Sequence, residues 1–211
     1  MQKAAVQISL EFTPNPNTLK FVVNPPLFKA GAANFTDKDA AGKSPLAQKL
    51  FAVPGVSAVL LASGFVTITK SPDGDWDVLA DKVPETIEQH VSSGETIFEQ
   101  GYDPAGRTAS TATGADAEVE NKVREILDTE IRPAVAMDGG DITFGKYENG
   151  IVYLHLQGAC SSCPSSVATL KMGVETRLKE LIPEIKEVVQ VLPVVARFPK
   201  RLQNKKKTPK G

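Results

Sequence analysis

Apolar residues alternate with polar ones at Val6, Ile8 and Leu10, and a second apolar run covers 19–23 after the turn-forming cluster Pro14, Asn15, Pro16 and Asn17. Alternation on both sides of a turn cluster predicts two strands in a hairpin-like arrangement. Ser44 followed by Pro45 predicts a helix start. The serine hydroxyl can accept from a free N–H of the first turn, and the proline occupies a position that needs no N–H. Leu46, Leu50 and Phe51 then face inward. Past Pro54 and Gly55, β-rich runs at 56–61 and 65–69 are joined through Ser63 and Gly64, and Val78, Leu79, Val83, Ile87 and Val91 recur at helical spacing. Pro84 lies inside that pattern and is expected to kink or split the helix, because it lacks the N–H that an interior turn uses.

The second half repeats the alternation of periods. Val119, Val123, Ile126, Leu127 and Ile131 keep a helical spacing to Arg132, where Pro133 is expected to stop it. Strands are predicted at 141–147 and 151–157 around Glu148, Asn149 and Gly150, since Asn-Gly tolerates the positive φ angles of a tight hairpin. Val152, Leu154 and Leu156 share one face of the second strand, and Tyr153, His155 and Gln157 the other. Val167, Leu170, Val174, Leu178 and Leu181 form a helical stripe ending at Pro183, and Val188, Val189 and Val191 a last strand. Residues 101–116, rich in Gly, Ala, Ser and Thr without apolar period, predict a flexible linker. The fold class expected is α+β, two small α/β sandwich domains at 1–100 and 117–196 joined by that linker, with a basic, disordered tail at 197–211.

The totals change this picture little: 211 residues, 41% hydrophobic and 23% charged, are ordinary for a soluble chain and enough for a core in each half. The first segment, MQKAAVQISLEF, has no apolar run of the kind a secretory signal requires, and no stretch approaches a membrane span. The expectation is a cytoplasmic protein with no membrane contact, in a reducing compartment where a close cysteine pair binds metal or does redox chemistry more often than it forms a permanent staple. The net charge of −1 conceals an asymmetry, because residues 197–211 carry seven Lys or Arg and no acid. That tail has one aromatic, Phe198, and no pattern for reading bases, so it is read as solvating rather than as a nucleic-acid contact. His90 and Trp76 are read as packing or surface residues.

The chemistry concentrates in one place. Cys160 and Cys163 are the only cysteines, three apart, within the run GACSSCPSSVATLKMGVE at 158–175. Cys163 precedes Pro164, which suits the first position of a helix, so Cys163 is expected at a helix cap where free N–H groups and the helix dipole favour a thiolate. A metal centre or cluster demanding four thiolates would have to take its missing ligands from another molecule, since no further cysteine exists. Four readings fit the pair: a cluster bridged between two chains, a zinc site, a dithiol-disulfide oxidoreductase, and reduced thiols that only pack. The sole histidines, His90 and His155, lack the paired spacing of zinc modules. Oxidoreductases set C-x-x-C between a strand and a helix, as here, but in a βαβ unit rather than after a hairpin.

These residues resemble the C-terminal domain of NifU-like (Nfu) iron–sulfur cluster proteins, through Met137, Asp138, Gly139, Gly140, Asp141 and Ile142 and then 158–175 with Cys160, Cys163, Pro164, Thr169, Leu170, Lys171 and Gly173. The first half resembles the Nfu N-terminal domain through Thr13, Pro14, Asn15, Pro16, Asn17, Leu19, Lys20 and Phe21, and through Gly64, Phe65, Val66 and Ile68. The resemblance implies a scaffold or carrier rather than an enzyme, with Cys160 and Cys163 as metal ligands to a 4Fe-4S cluster, or a 2Fe-2S one, bridging a homodimer. It also implies apo iron–sulfur proteins as recipients, upstream assembly machinery as donor, and an N-terminal domain that helps to engage partners. Gly139 and Gly140 are read as a turn between helix and strand with Asp138 or Asp141 bonding nearby backbone, and Lys171 as a solvent-facing i,i+4 partner of Glu175.

Overall fold

The alternation at the N-terminus becomes an antiparallel pair, β1 (Gln7–Phe12) and β2 (Thr18–Asn24), with Leu10 opposite Phe21. The computed structural model describes residues 6–104, 115–161 and 164–191. With β3 (Ala32–Phe35), β4 (Val56–Ala62) and β5 (Phe65–Lys70), the first pair completes a five-stranded antiparallel sheet in the order β1-β2-β5-β4-β3. Helix α1 (Pro45–Ala52) begins as its first residues require, with the Ser44 hydroxyl accepting from the Ala47 N–H at 3.2 Å. Helix α2 (Trp76–Ser93) runs through Pro84 as one helix, so of the expected kink or split the split does not occur. Leu79 and Val83 before the proline and Ile87 after it are buried in one core, so packing on both sides keeps the chain helical across the missing hydrogen bond.

Both helices cover one face of this sheet, to which β2, β4 and β5 contribute Phe21, Val59, Leu61, Val66 and Ile68. The strand period sends their neighbours to the other face, where Lys20, Thr67 and Leu60 stand side by side across β2, β5 and β4. All three are buried, although neither helix of this unit lies over them.

In the second unit, α3 (Ala115–Ile126) passes through a π-helical turn (Leu127–Ile131) into α4 (Arg132–Met137). Pro133 therefore does not end the helical run. The wider turn resets the hydrogen-bond ladder, so the proline falls in the first turn of α4, where its missing N–H costs nothing. Strands β6 (Gly140–Glu148) and β7 (Ile151–Gly158) form the predicted hairpin, with φ of 54° at Asn149 and 86° at Gly150. Helix α5 (Pro164–Leu181) crosses from β7 to β8 (Glu187–Gln190), which pairs parallel to β7.

Val152, Leu154 and Leu156 point into a core with Val123, Leu127, Ile142, Val174 and Leu178, as their alternation predicts. Two details differ. Leu181 is 43% exposed and Ile182 is buried in its place, because the chain leaves the helix there and no longer follows its period. Glu175 pairs with Lys179, one turn on, and accepts from the Val188 N–H at 3.3 Å; Lys171 reaches it only through charge. Of the expected linker, Tyr102 stacks on Phe98 and the Pro104 carbonyl accepts from the Ala32 N–H, while α3 begins at Ala115. Residues 105–114 and the basic tail lie outside the described residues. Among the described residues, no helix is long and apolar enough to cross a membrane.

His90 is fully buried near the end of α2, with Nε2 at 3.2 Å from the Thr96 carbonyl. Burial, and then the Lys49 charge, hold its pKa below the ordinary 6.5. The unfolded chain therefore takes up a proton that the folded chain resists, and stability falls as pH drops below about 6.5. Urea unfolding followed through Trp76, the single tryptophan, is expected to show a lower midpoint at about pH 5.5 than at about pH 7.5, and His90→Asn to flatten that dependence.

Candidate functional site

The hairpin carries Cys160 to a tight corner. Strand β7 ends at Gly158 in the left-handed region (φ 62°), and a single 3-10 turn (Ala159–Ser161) follows, in which the Ser161 hydroxyl donates to the Gly158 carbonyl at 2.8 Å. Cys160 is only 5% exposed. Its sulfur rests against the backbone of Gly140 at the start of β6: a Cβ at Gly140 would lie 2.4 Å from Sγ. The Gly139–Gly140 pair predicts a turn, and φ of 74° at Gly139 agrees; the direct contact of Gly140 with Cys160 is not legible in the chain alone. Glycine where β6 meets the end of β7 was the available signal, and only the register that pairs Gly140 with Gly158 gives it meaning.

Cys163, with the helix-cap role expected for it, lies outside the described residues. Among the described residues, no three or more His, Cys, Asp or Glu side chains gather where they could hold a metal ion. The histidines are not brought together: His90 is buried in the first unit, and His155 lies on β7 opposite Thr143, with Nε2 close to Gly145.

An ion pair fixes Gly140 in place. Arg132 at the start of α4 donates from Nε and Nη2 to both carboxylate oxygens of Asp141, at 2.8 and 3.1 Å, and from Nη1 to Asp128 at 2.8 Å. Asp138 or Asp141 is expected to bond nearby backbone; Asp141 does so at Ile142, and its stronger partner is this guanidinium, delivered by the π-helical turn that prolongs the helix past Ile131. Burial pushes the Asp141 carboxyl above its ordinary value, and Arg132 pulls it back. The pair joins α4 to β6 one residue from the glycine that touches Cys160.

The outer face of the five-stranded sheet covers this corner. The Asn15 amide donates to the Ala159 carbonyl at 3.1 Å, the Thr67 hydroxyl to the Gly139 carbonyl at 2.7 Å, and the Lys20 ammonium to the Met137 carbonyl at 3.4 Å. Leu60 lies so close to Gly158 that a Cβ there would sit 2.6 Å from its Cδ2. A cleft of about 580 Å³ opens beside this seam, lined in part by Phe65, Arg124, Arg132, Asp141 and Phe144; it reaches Gly140, and Cys160 is not in its lining.

Two family models match the chain: a NifU-like domain over residues 123–189, and the N-terminal domain of the Nfu/NifU scaffold protein over residues 8–94. A human protein, NFU1 iron-sulfur cluster scaffold homolog, mitochondrial, is 41% identical over 186 residues, covering 88% of this chain and 72% of that one. NifU-like protein 4, mitochondrial, of Arabidopsis thaliana is 39% identical over 191 residues, covering 90% of this chain and 67% of that one. These relatives correct the cytoplasmic expectation, since both are mitochondrial by name. A mitochondrial address is amphipathic and arginine-rich rather than apolar, so the lack of an apolar run does not separate the two compartments.

The closeness of Gly140 to Cys160 has a measurable consequence. Gly140→Ala forces the sulfur to move, and is expected to cost about 1–3 kcal/mol in urea unfolding of the second unit and to speed alkylation of the Cys160 thiol.

Proposed function

This chain belongs to the family of NifU-like proteins with an Nfu N-terminal scaffold domain, and from that membership we propose that it is an iron–sulfur cluster scaffold and carrier whose ligands are Cys160 and Cys163. The observation that carries the reading is the thiol count: one C-x-x-C pair and no other cysteine in the chain. Four-thiolate coordination of a 4Fe-4S cluster then takes two copies, each giving two sulfurs from a short loop. The cluster is the cargo, held jointly and by few contacts.

Release follows from that economy of contacts. A thiol of an apo-protein gives up its proton as its sulfur bonds iron, and the displaced cysteine sulfur takes a proton as it leaves. The exchange leaves the charge and oxidation state of the cluster unchanged, so no external reductant or oxidant is needed. Repeated at each position, it moves the cluster to the recipient without turnover of a substrate, which is a carrier's work rather than an enzyme's. The upstream donor reaches the site by the same chemistry in reverse. Two domains, the first recruiting a recipient and the second presenting the cysteines, raise the local concentration of donor and acceptor sulfurs. We place this activity in the mitochondrion, following the names of the relatives.

Anaerobic reconstitution with iron and sulfide tests the reading. The unaltered chain is expected to gain broad visible absorbance, and Cys160→Ser or Cys163→Ser to lose it, with circular dichroism checking that each variant keeps its fold, since Cys160 is a buried member of the second core. Mössbauer spectra of the product separate a 4Fe-4S from a 2Fe-2S occupant. A chain that stays colourless and reduces a test disulfide would be a dithiol oxidoreductase instead.

A further inference from the structure

Lys20, Thr67 and Leu60 form a row across three adjacent strands, on the face of the sheet that α1 and α2 leave uncovered. Each is at most 9% exposed. The Gly139–Gly140 turn and the end of β7 are what lie against them. The polar members of the seam address main-chain carbonyls: Thr67 and Lys20 those of Gly139 and Met137 just before β6, and Asn15 that of Ala159 just after β7. Both segments that enclose Cys160 are thereby held from the same side. Resting on the scaffold reading above, we propose that the outer face of the first sheet is a dock for the cysteine corner of this same chain, that Asn15 and Thr67 are its positioning residues, and that Cys160 accepts cargo only when the dock opens.

Three features support this. Gly158 and Gly139 are the points of closest approach, where a Cβ would come within 2.6 Å of Leu60 and 3.0 Å of Thr13, so the corner is shaped to fit this face. The Cys160 sulfur packs beside Gly140 in the core of its own unit and is 5% exposed, so the segments that carry it, which the first sheet grips by their carbonyls, have to shift before it meets iron. The hydrogen bonds from Asn15, Lys20 and Thr67, and the contacts of Leu60 and Thr13, can be broken and remade, as a gate requires. The Pro14–Asn17 segment, which the hairpin needs only as a turn, thus acquires a second purpose through the Asn15 amide.

The test uses the full chain carrying Cys163→Ser, so that Cys160 is the only thiol, and follows alkylation by iodoacetamide. Thr67→Val, which keeps the shape and removes the hydroxyl, and Asn15→Asp, which removes the amide donor, are each expected to speed alkylation severalfold, and together about tenfold or more. Thr67→Ser is expected to restore the parent rate, which a general loosening of the sheet would not allow. Alkylation unchanged in both variants, with circular dichroism showing them folded, overturns the dock. If Thr67→Val does not fold, Asn15→Asp, which alters a turn rather than a sheet interior, carries the same test. With both cysteines present, Thr67→Val should also take up iron and sulfide faster than the parent. Normal uptake with unresponsive alkylation refutes the dock alone; no uptake in any variant with responsive alkylation refutes the scaffold reading and leaves the dock standing.

Discussion

Iron in a cubane cluster asks for four thiolates, and this chain has two. That shortfall is the constraint on which the proposed function turns. A fold that buried four cysteines around one cluster would hold it for its own use, whereas a fold that offers two from a loop can hold it only in company. In the second unit a hairpin, a crossover helix and one parallel strand make a small support, and β7 ends at the point where the cysteine run begins.

Glycine is what lets that support be so tight. Gly139, Gly140 and Gly158 meet where α4, β6 and β7 converge, and at each a side chain would collide with a neighbour: Thr13, the Cys160 sulfur and Leu60 respectively. The Arg132–Asp141 pair then fixes α4 against β6, so Gly140 is held from its own unit while the first sheet closes on the corner from outside. Breaking such a pair by removing one partner leaves a partly buried charge uncompensated, which is the costly direction. The first unit therefore does more in this structure than accompany the second: its motif residues touch the backbone on either side of the cysteine.

Much of the fold was legible in the chain because the signals were local. Ser44-Pro45, Asn149-Gly150 and the alternation along β7 each name a single backbone conformation, and the structure adopts it. Pro84 does not split its helix and Pro133 does not end one, for a single reason. A proline's effect depends on what is packed around it: Pro84 sits between buried residues of the same core, and Pro133 is absorbed by a π-helical turn that moves it into a first turn. Strand β3 escaped notice because Ala32, Ala33, Asn34 and Phe35 carry little β signal and are recruited by pairing with β4. The candidate site was legible as residue types, since two cysteines in a strand-to-helix loop are visible without coordinates. Its surroundings were not, because the contacts of Gly140 with Cys160, Thr67 with Gly139 and Asn15 with Ala159 join residues 20 to 144 positions apart, and no local pattern encodes them.

The central claim is that the cargo is shared between two copies, and the most direct measurement is the mass of the loaded species. Native mass spectrometry of the anaerobically reconstituted protein should find one cluster of about four irons and four sulfides on two chains, with the cluster-free chain returning to lower mass when a chelator strips the iron. A single chain carrying the full complement of iron and sulfide, with no added thiol, would contradict the account.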